Sequence, residues 1–458
     1  MPHLPLLPGP GAPHHPSRRA WLRGAAAAGL GALAPLTGLS LAGAATPGGP
    51  RLVLMILRGG LDGLSAVPAP GDPAFADARG ALGRFASPAL PLDGLLALHP
   101  ALPGLHAMYG QGELVVVHAT GLPYHERSHF DAQQVLESGG ERPFALDTGW
   151  LGRALAGSRH TGMAFQAAVP LVLRGHAGID TWAPSARPDP SADLVARLER
   201  LYADDAPLAS ALARAQALRG AGGVPAPGAE AALGGGMAGG MAGGMAGGSA
   251  GGMAGGMAGG VTGGVTLGMA GSASAPAANR AYPARLALLS RQAAAFLAQP
   301  DGPMAAVLEI GGWDSHANQA ADNGPLVSNL RALDASLGAL RDGLTAPGAG
   351  DVWRRTVVLV VTEFGRTVAI NGTQGTDHGS GGAALVLGGA VRGGRVIADW
   401  PGLAPAQRFD GRDLRITTDL RALFKTVLVQ HLGLDAARIA QQALPGSAGL
   451  APLALLRG

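Results

Sequence analysis

The sequence has no cysteine among its 458 residues. Disulfides, a thiolate nucleophile and cysteine-ligated zinc are therefore excluded. Aromatic residues make up 4% of the chain and charged residues 14%. After the first 45 residues, no apolar run approaches the roughly 18 residues that cross a membrane. A chain of this length without disulfides has to draw its stability from a large buried core.

The basic character of the chain comes from its beginning. The formal net charge is +3, with 34 basic and 31 acidic residues. Arg18, Arg19 and Arg23 lie in the first 45 residues, which hold no acid, so 34 minus 3 leaves 31 basic residues against 31 acids. The remaining chain is neutral overall, and the sequence therefore predicts no nucleic-acid partner.

The first 45 residues have the features of an export signal. Residues 17–23 read Ser-Arg-Arg-Ala-Trp-Leu-Arg, an Ala/Gly/Leu-rich stretch follows, and Ala42-Gly-Ala44 is a small-residue cleavage site. This pattern predicts a twin-arginine signal peptide over residues 1–45, with the twin-arginine export machinery as a partner. We expect a periplasmic or secreted protein without a membrane span in its mature chain.

Residues 46–450 are predicted to form one domain with one interruption. Residues 189–218 favour helix, whereas residues 219–276 consist mainly of Gly, Ala and Met, and Met-Ala-Gly-Gly recurs there. These residues have too little side-chain surface to offset the entropy lost on ordering. Residues 219–276 are therefore predicted to form a flexible insert. Soft methionine thioethers at this spacing leave copper(I) binding open as an alternative. Near the C-terminus, residues 417–431 predict an amphipathic helix capped by Thr417 or Thr418.

Three glycine-rich clusters follow apolar runs of strand length. Residues 59–63 (Gly-Gly-Leu-Asp-Gly) follow the run 52–57, and residues 311–316 (Gly-Gly-Trp-Asp-Ser-His) follow 305–310. Residues 362–366 (Thr-Glu-Phe-Gly-Arg) follow 356–361 and lead to Gly-Thr-Asp-His-Gly at 375–379. Continuous apolar runs are typical of parallel strands covered on both faces. The runs 113–118 and 383–387 predict two more strands.

Acids and histidines in these clusters indicate a metal site. Ligands of open α/β sheets bind beyond the carboxyl ends of the strands, so these side chains should meet at one edge. Carboxylate and imidazole ligands suit zinc and harder divalent ions. Taken singly, each acid has a simpler role as a helix cap or a solvated charge. The predicted ligands are Asp62, Asp314, His316, Glu363 and His378.

The order of these motifs resembles a known family. Together with Arg-Ser-His-Phe-Asp-Ala-Gln at 127–133, they are similar to DUF1501, a family of exported bacterial proteins that looks like a branch of the alkaline phosphatase/sulfatase superfamily. The resemblance implies an α/β fold, a three-layer sandwich with a mostly parallel central sheet. It also implies two adjacent metals, one held by Asp314, His316 and His378 and the other by Asp62 and Glu363.

One position departs from that pattern. Alkaline phosphatases follow the acid of the second metal with a ligating histidine, and this chain has Phe364 there. The second metal therefore lacks a ligand, which His129 is able to replace. One or two divalent ions are expected, with zinc first and manganese or calcium as alternatives.

The resemblance places a nucleophile at Ser128. The residues themselves predict Ser128 as the N-cap of a helix, and a helix N-terminus attracts phosphate or sulfate. Ser65 is the alternative hydroxyl, and Arg127 and Arg366 are the catalytic candidates for contacting oxyanion charge. The expected activity is hydrolysis of phosphate or sulfate esters, of small molecules or polysaccharides, by metal-bound Ser128. The alternative is a non-catalytic binding or assembly protein that keeps the fold and part of the site.

Overall fold

The computed structural model describes residues 48–176, 178–185, 189–222 and 275–457, without the side chains of 219–222 and 275–282. The predicted signal peptide lies outside these residues, as does most of the predicted insert. The predicted helical stretch 189–218 forms two helices, Ala192–Tyr202 and Ala206–Gly222. No helix in the described ranges has both the length and the apolar character to cross a membrane.

A nine-stranded sheet forms the centre of the described residues. Its order is β10-β4-β9-β8-β1-β7-β5-β6, and β11 also pairs with β4. All pairings are parallel except those of β9 with β4 and β8. The strands are β1 (Arg51–Leu57), β4 (Leu114–Gly121), β5 (Gly162–Ala164), β6 (Ile179–Thr181), β7 (Ala305–Ile310), β8 (Thr356–Thr362), β9 (Gly382–Leu387), β10 (Arg395–Ile397) and β11 (Thr418–Asp419). A separate pair joins β2 (Leu90–Pro91) to β3 (Ala97–Leu98).

Helices cover both faces of the sheet because successive strand residues point to opposite sides. In β1, Val53 and Met55 belong to one apolar cluster, and Leu54 and Ile56 belong to the other. The helices are α1 (Gly63–Ala66), α2 (Phe75–Arg79), α3 (Pro103–Gly110), α4 (His129–Ser138), α5 (Trp150–Leu155), α6 (Ala192–Tyr202), α7 (Ala206–Gly222), α8 (Ala275–Leu297), α9 (Pro325–Thr345), α10 (Leu420–Thr426) and α11 (Ala436–Arg438).

The first face carries α3, α8 and α9, and the second carries α4, α5 and α10. This arrangement confirms the predicted fold class, an α/β three-layer sandwich with a mostly parallel sheet. The predicted strands at 113–118 and 383–387 are β4 and β9, and β9 is the antiparallel one.

The C-terminal helix differs from its prediction. The cap is Asp419, not Thr417 or Thr418, because its carboxylate accepts from the backbone N–H of Arg421 at 2.8 Å. Thr418 belongs to β11, which pairs with β4. Helix α10 ends at Thr426, and a turn of π-helix continues from Val427 to His431.

Candidate metal centre

Three neighbouring strands end at one level of the sheet. Leu57 of β1 pairs with Ile310 of β7 on one side and with Thr362 of β8 on the other. The loops that follow pack tightly: a Cβ on Gly59 would lie 2.6 Å from the backbone nitrogen of Asp314, and Gly59 has φ +120°. Glycine at this position lets the loop after β1 approach the loop after β7.

Three imidazoles and one carboxylate converge beyond these strand ends. The Nε2 atom of His378 lies 3.0 Å from Nε2 of His129 and 3.0 Å from Nε2 of His316. Oδ1 of Asp314 lies 2.9 Å from Nε2 of His316 and 3.1 Å from Nε2 of His378. Three members, His129, Asp314 and His378, have ligand atoms within 4.8 Å of one another. We call His129, Asp314, His316 and His378 the imidazole cluster.

The other ring nitrogen of each histidine faces an oxygen acceptor. Nδ1 of His378 donates to the carbonyl oxygen of Arg127 at 2.9 Å. Nδ1 of His129 faces Oε1 of Glu363 at 2.8 Å, and Nδ1 of His316 faces Oδ1 of Asp377 at 3.1 Å.

These acceptors fix the tautomers, because carbonyl and ionised carboxylate oxygens only accept hydrogen bonds. Each Nδ1 therefore carries a proton, and each ring in its neutral form presents a lone pair on Nε2 toward the centre of the cluster. In that form, lone pairs that face each other at 3.0 Å repel unless a cation, either a proton or a metal ion, lies between them. The donor set consequently fits a divalent metal, with the Nδ1 partners orienting the ligands.

The electrostatics of the imidazole cluster also favour positive charge. Burial alone lowers the pKa of His129, but hydrogen bonds with Asp314 and Glu363 raise it to about 9. Burial raises the pKa of the Asp314 carboxyl, yet the surrounding imidazoles and the Arg366 guanidinium bring it well below its ordinary value. When protons are the only cations present, His129 takes up a second proton, and the resulting imidazolium places a positive charge in the cluster.

Glu363 lies behind His129 and is fully enclosed. Its Oε1 accepts from the backbone N–H of Gly59 at 2.8 Å and from the amide of Gln133 at 3.1 Å, in addition to His129. Burial raises the pKa of Glu363, but the hydrogen bond from His129 contributes to a net lowering. Gly59 and Gln133 thus hold the Glu363 carboxylate in place, and the carboxylate in turn orients the His129 ring. Its role as a direct ligand stays a prediction.

Phe364 packs against the imidazole cluster. Its ring centroid lies 4.7 Å from that of His129 and 5.1 Å from that of His378. Gly60 makes room for it, since a Cβ there would lie 2.6 Å from the Phe364 ring. Phe364 therefore packs against two imidazole rings in tilted arrangements, and His129 supplies the fourth nitrogen or oxygen donor of the imidazole cluster.

Asp62 lies in a different environment from the imidazole cluster. It caps α1 through Leu64 N–H at 3.1 Å, and its Oδ2 accepts from the Ser65 hydroxyl at 2.8 Å. Arg79 and Gln319 also donate to Oδ2. Burial raises the pKa of Asp62, and the Arg79 charge and these hydrogen bonds lower it by more. Asp62 would have to give up these partners to bind a metal, so its ligand role stays a prediction.

Gln319 links the two regions. Its side-chain oxygen accepts from the hydroxyls of Ser315 at 2.9 Å and Thr376 at 2.6 Å, while its amide nitrogen donates to Asp62. Thr376 in turn accepts from Arg366 Nε at 3.2 Å, and Arg366 donates to Asp314 Oδ1 at 2.7 Å. Gln319 lies in a loop without a recognisable motif, so its role could not be predicted from the sequence.

Ser128 caps α4, as the sequence predicted. The Asp131 backbone nitrogen lies 3.5 Å from its Oγ, a weak cap. The Asp131 carboxylate instead accepts from the Tyr124 hydroxyl at 3.1 Å. Ser128 directly precedes His129, so its backbone is adjacent to the imidazole cluster. The competing hydroxyl, Ser65, is buried and hydrogen-bonded to Asp62.

The two predicted catalytic arginines are both paired with acids. Arg127, at φ 61°, contacts the buried Asp413 at 2.8 Å and Asp410 at 3.2 Å. Arg366 is buried and contacts Asp314. The carbonyl oxygen of Arg127 accepts from His378 Nδ1, so this residue also serves the cluster through its backbone.

Comparison with protein families supports the motif resemblance. Residues 266–450, less than half of the chain, match the family described as "Protein of unknown function (DUF1501)". The predicted DUF1501 resemblance is confirmed there. The DUF1501 match includes Asp314, His316, Glu363 and His378, whereas His129 lies before it. Among curated proteins, none matches the chain.

Several solved structures are similar at low identity. Ps i-CgsB in complex with k-i-k-neocarrahexaose is 10% identical at a TM-score of 0.39, with 88% of this chain and 74% of that chain covered. BT1596, a 2-O GAG sulfatase, is 10% identical at 0.37, covering 89% and 73%. The PsFucS1 sulfatase from Pseudoalteromonas sp. is 12% identical at 0.37, covering 89% and 71%. Because these TM-scores lie below 0.5, no activity is transferred from them to this chain.

Proposed function

We propose that this protein is an exported metal-dependent hydrolase of phosphate or sulfate esters. The observation that carries the proposal is the convergence of three imidazole Nε2 atoms on Asp314, each ring fixed by an acceptor at Nδ1. Such a donor set has little purpose in a purely structural core. Asp314 and His316 are also exposed over 44% and 46% of their side chains, so a substrate can reach the cluster.

The imidazole cluster would hold one divalent ion. Three nitrogens and one carboxylate oxygen suit zinc first and manganese next, since oxygen-only sites are what calcium prefers. When bound, the ion supplies Lewis acidity toward an ester oxygen. Glu363, Asp377 and the Arg127 carbonyl hold the three rings in orientation. A second ion at Asp62 and Glu363 would require both carboxylates to leave their present partners.

Ser128 is the proposed nucleophile. It lies at the N-terminus of α4, where free backbone amides and the helix dipole favour an anionic group of the substrate. In the reaction, the Ser128 oxygen forms a bond to phosphorus or sulfur as the bond to the leaving alcohol breaks. Water on the solvent-facing side of the cluster takes the serine proton, and the departing oxygen takes a proton from water and leaves as the alcohol. Hydrolysis of the serine ester then regenerates the enzyme.

One observation favours the alternative, a non-catalytic binding protein with a metal. Arg127 and Arg366, the cations predicted to contact oxyanion charge, are already paired with Asp413 and Asp314. An incoming phosphate or sulfate would depend on the metal and on the α4 N-terminus for its charge compensation.

Metal analysis combined with an ester panel tests the proposal. The purified protein is expected to contain about one equivalent of zinc or manganese, and His378→Ala is expected to lose it. His106→Ala is the matched control, since His106 contacts the Pro91 carbonyl far from the cluster in sequence and fold. The panel contains phosphate monoester, phosphate diester and sulfate ester substrates. Metal without turnover favours the binding protein, and no metal after reconstitution with zinc, manganese or calcium rejects the metal centre.

A further inference from the structure

A cavity of about 140 Å³ is lined by residues outside the imidazole cluster. Ser65 and Gln319 contribute to its wall, and both belong to the hydrogen-bond network of Asp62. Its polar lining also includes Arg84, His99, Asp322 and Arg331. A water needs about 10–15 Å³ of such volume, so the cavity has room on the order of ten waters or one small organic molecule.

His99 presents an unused hydrogen-bond donor to this cavity. Its Nδ1 accepts from the backbone N–H of Ala101 at 3.0 Å, so the ring proton resides on Nε2. Burial lowers the pKa of His99 to about 4, and the ring is therefore neutral at pH 7. The residue is 7% exposed, and its Nε2–H has no acceptor among the described residues. His99 lines the cavity, so this donor is available to an acceptor oxygen of a ligand bound there.

The charges around the cavity favour an anion. The Arg84 guanidinium makes no hydrogen bond or ion pair with any described residue, and that of Arg331 contacts only the Asn323 side chain at 3.3 Å. Asp322 is the acidic residue of the lining and pairs with neither arginine within 4 Å in the described structure. Two guanidinium groups against one carboxylate leave a net charge of +1, which one carboxylate of a ligand would neutralise.

We propose that this cavity binds a small carboxylate-bearing molecule. Its carboxylate contacts Arg84 and Arg331, whose planar guanidinium groups match carboxylate geometry. A carbonyl or hydroxyl oxygen of the same molecule accepts from His99 Nε2. The cavity uses no residue of the imidazole cluster, so binding there can be measured separately from the proposed hydrolase activity.

Calorimetric titration of the purified full chain tests this site. The probes are glucuronate and glycerate, with glucose and glycerol as neutral counterparts and inorganic phosphate as a competing anion. Each titration is repeated after EDTA treatment, because a carboxylate also binds to an exposed metal. We expect saturable binding of a carboxylate probe that persists in EDTA and no binding of its neutral counterpart. Absence of binding by both carboxylates, binding that EDTA abolishes, or tighter binding of phosphate overturns the proposal.

Variants locate the site. The double variant Arg84→Gln/Arg331→Gln and the single variant His99→Leu are each expected to weaken binding at least about tenfold, or 1.4 kcal/mol. His99→Gln retains a side-chain donor and an acceptor, so it should bind more tightly than His99→Leu. Arg354→Gln, an exposed arginine outside the cavity lining, is the matched control. Melting temperatures confirm that each variant folds, and equal affinity in all variants places the ligand elsewhere.

Discussion

Asp314 and Asp62 both follow a buried parallel strand in a glycine-rich loop, yet the structure uses them differently. Asp314 is 44% exposed and lies among three histidines. Asp62 is 1% exposed and its charge is matched by the buried guanidinium of Arg79. An acid at a strand end is therefore an incomplete signal for a metal ligand. The neighbouring side chains decide whether the acid faces solvent and imidazoles or a fixed cation.

The largest expected effect is a loss of turnover at the exposed imidazole cluster. Ser128→Ala is expected to lower kcat by several orders of magnitude, because it removes the attacking oxygen. The lost cap should lower the free energy of unfolding by no more than about 1 kcal/mol. Ser191→Ala, which removes the cap of α6, is the control for that loss. Normal turnover in Ser128→Ala would reject this serine as the nucleophile.

At the buried region, removing the Asp62 charge should destabilise the fold. Asp62→Asn leaves the Arg79 guanidinium buried without its counter-charge, and the expected loss is about 3–5 kcal/mol. Urea unfolding measures it, and the double variant Asp62→Asn/Arg79→Met should recover part of the loss. Metal content should be unchanged. Loss of metal with normal stability would instead make Asp62 a ligand.

The stability of the buried region around Asp62 should also depend on pH, through the nearby His118. Its Nδ1 accepts from the Ala119 N–H at 2.8 Å and its Nε2 donates to the Val67 carbonyl, so a second ring proton would break the contact with Ala119. Burial lowers the pKa of His118 from 6.5 to about 4. The unfolded chain thus takes up a proton first as the pH falls. The stabilisation is complete above pH 6.5 and about 3 kcal/mol is lost between pH 6.5 and 4.

Urea unfolding in EDTA over that pH range checks the His118 prediction, since EDTA removes the pH dependence of metal binding. His118→Gln keeps one acceptor and one donor and should show a shallower pH dependence. His99, whose pKa burial also lowers to about 4, should account for a comparable remaining part. An identical slope in His118→Gln and wild type would contradict the assignment.

The smallest expected effect is on metal affinity, and it distinguishes a Glu363 that orients His129 from a Glu363 that binds the metal directly. Glu363→Gln retains a side-chain oxygen for His129 but removes the charge, and metal affinity should fall about 10- to 100-fold. A direct ligand would cost more and would change the metal stoichiometry. Competition with a chelator measures the affinity. Glu113→Gln is the control, because Glu113 contacts Arg341 and Trp353 instead of the cluster.

The fold and part of the site could be predicted from the sequence, for specific physical reasons. Apolar runs identified β1, β7 and β8, and the rule for strand ends placed Asp314, His316 and His378 together. The roles of Arg79 and Gln319 could not be predicted, because each contact depends on loops that meet only in the fold. The cap at Asp419 could not be predicted because it depends on distant contacts of the two residues before it. Thr418 pairs with β4, and Thr417 donates to the carbonyl oxygen of Ala119, 298 residues earlier in the chain.

The imidazole cluster joins positions that are far apart along the chain. His129 precedes the matched DUF1501 region, while Asp314, His316 and His378 lie within it, and the glycine-rich residues fall between the two groups. An ion bound there would act as a cross-link that closes a loop of more than 180 residues between His129 and Asp314. Closing this loop costs more entropy than closing a local clip, by about 0.6 kcal/mol for each doubling of loop length. A fragment limited to residues 266–450 would lack that closure. Metal affinity from the full set of four side chains is thus a readout of whether the two halves of the chain have come together.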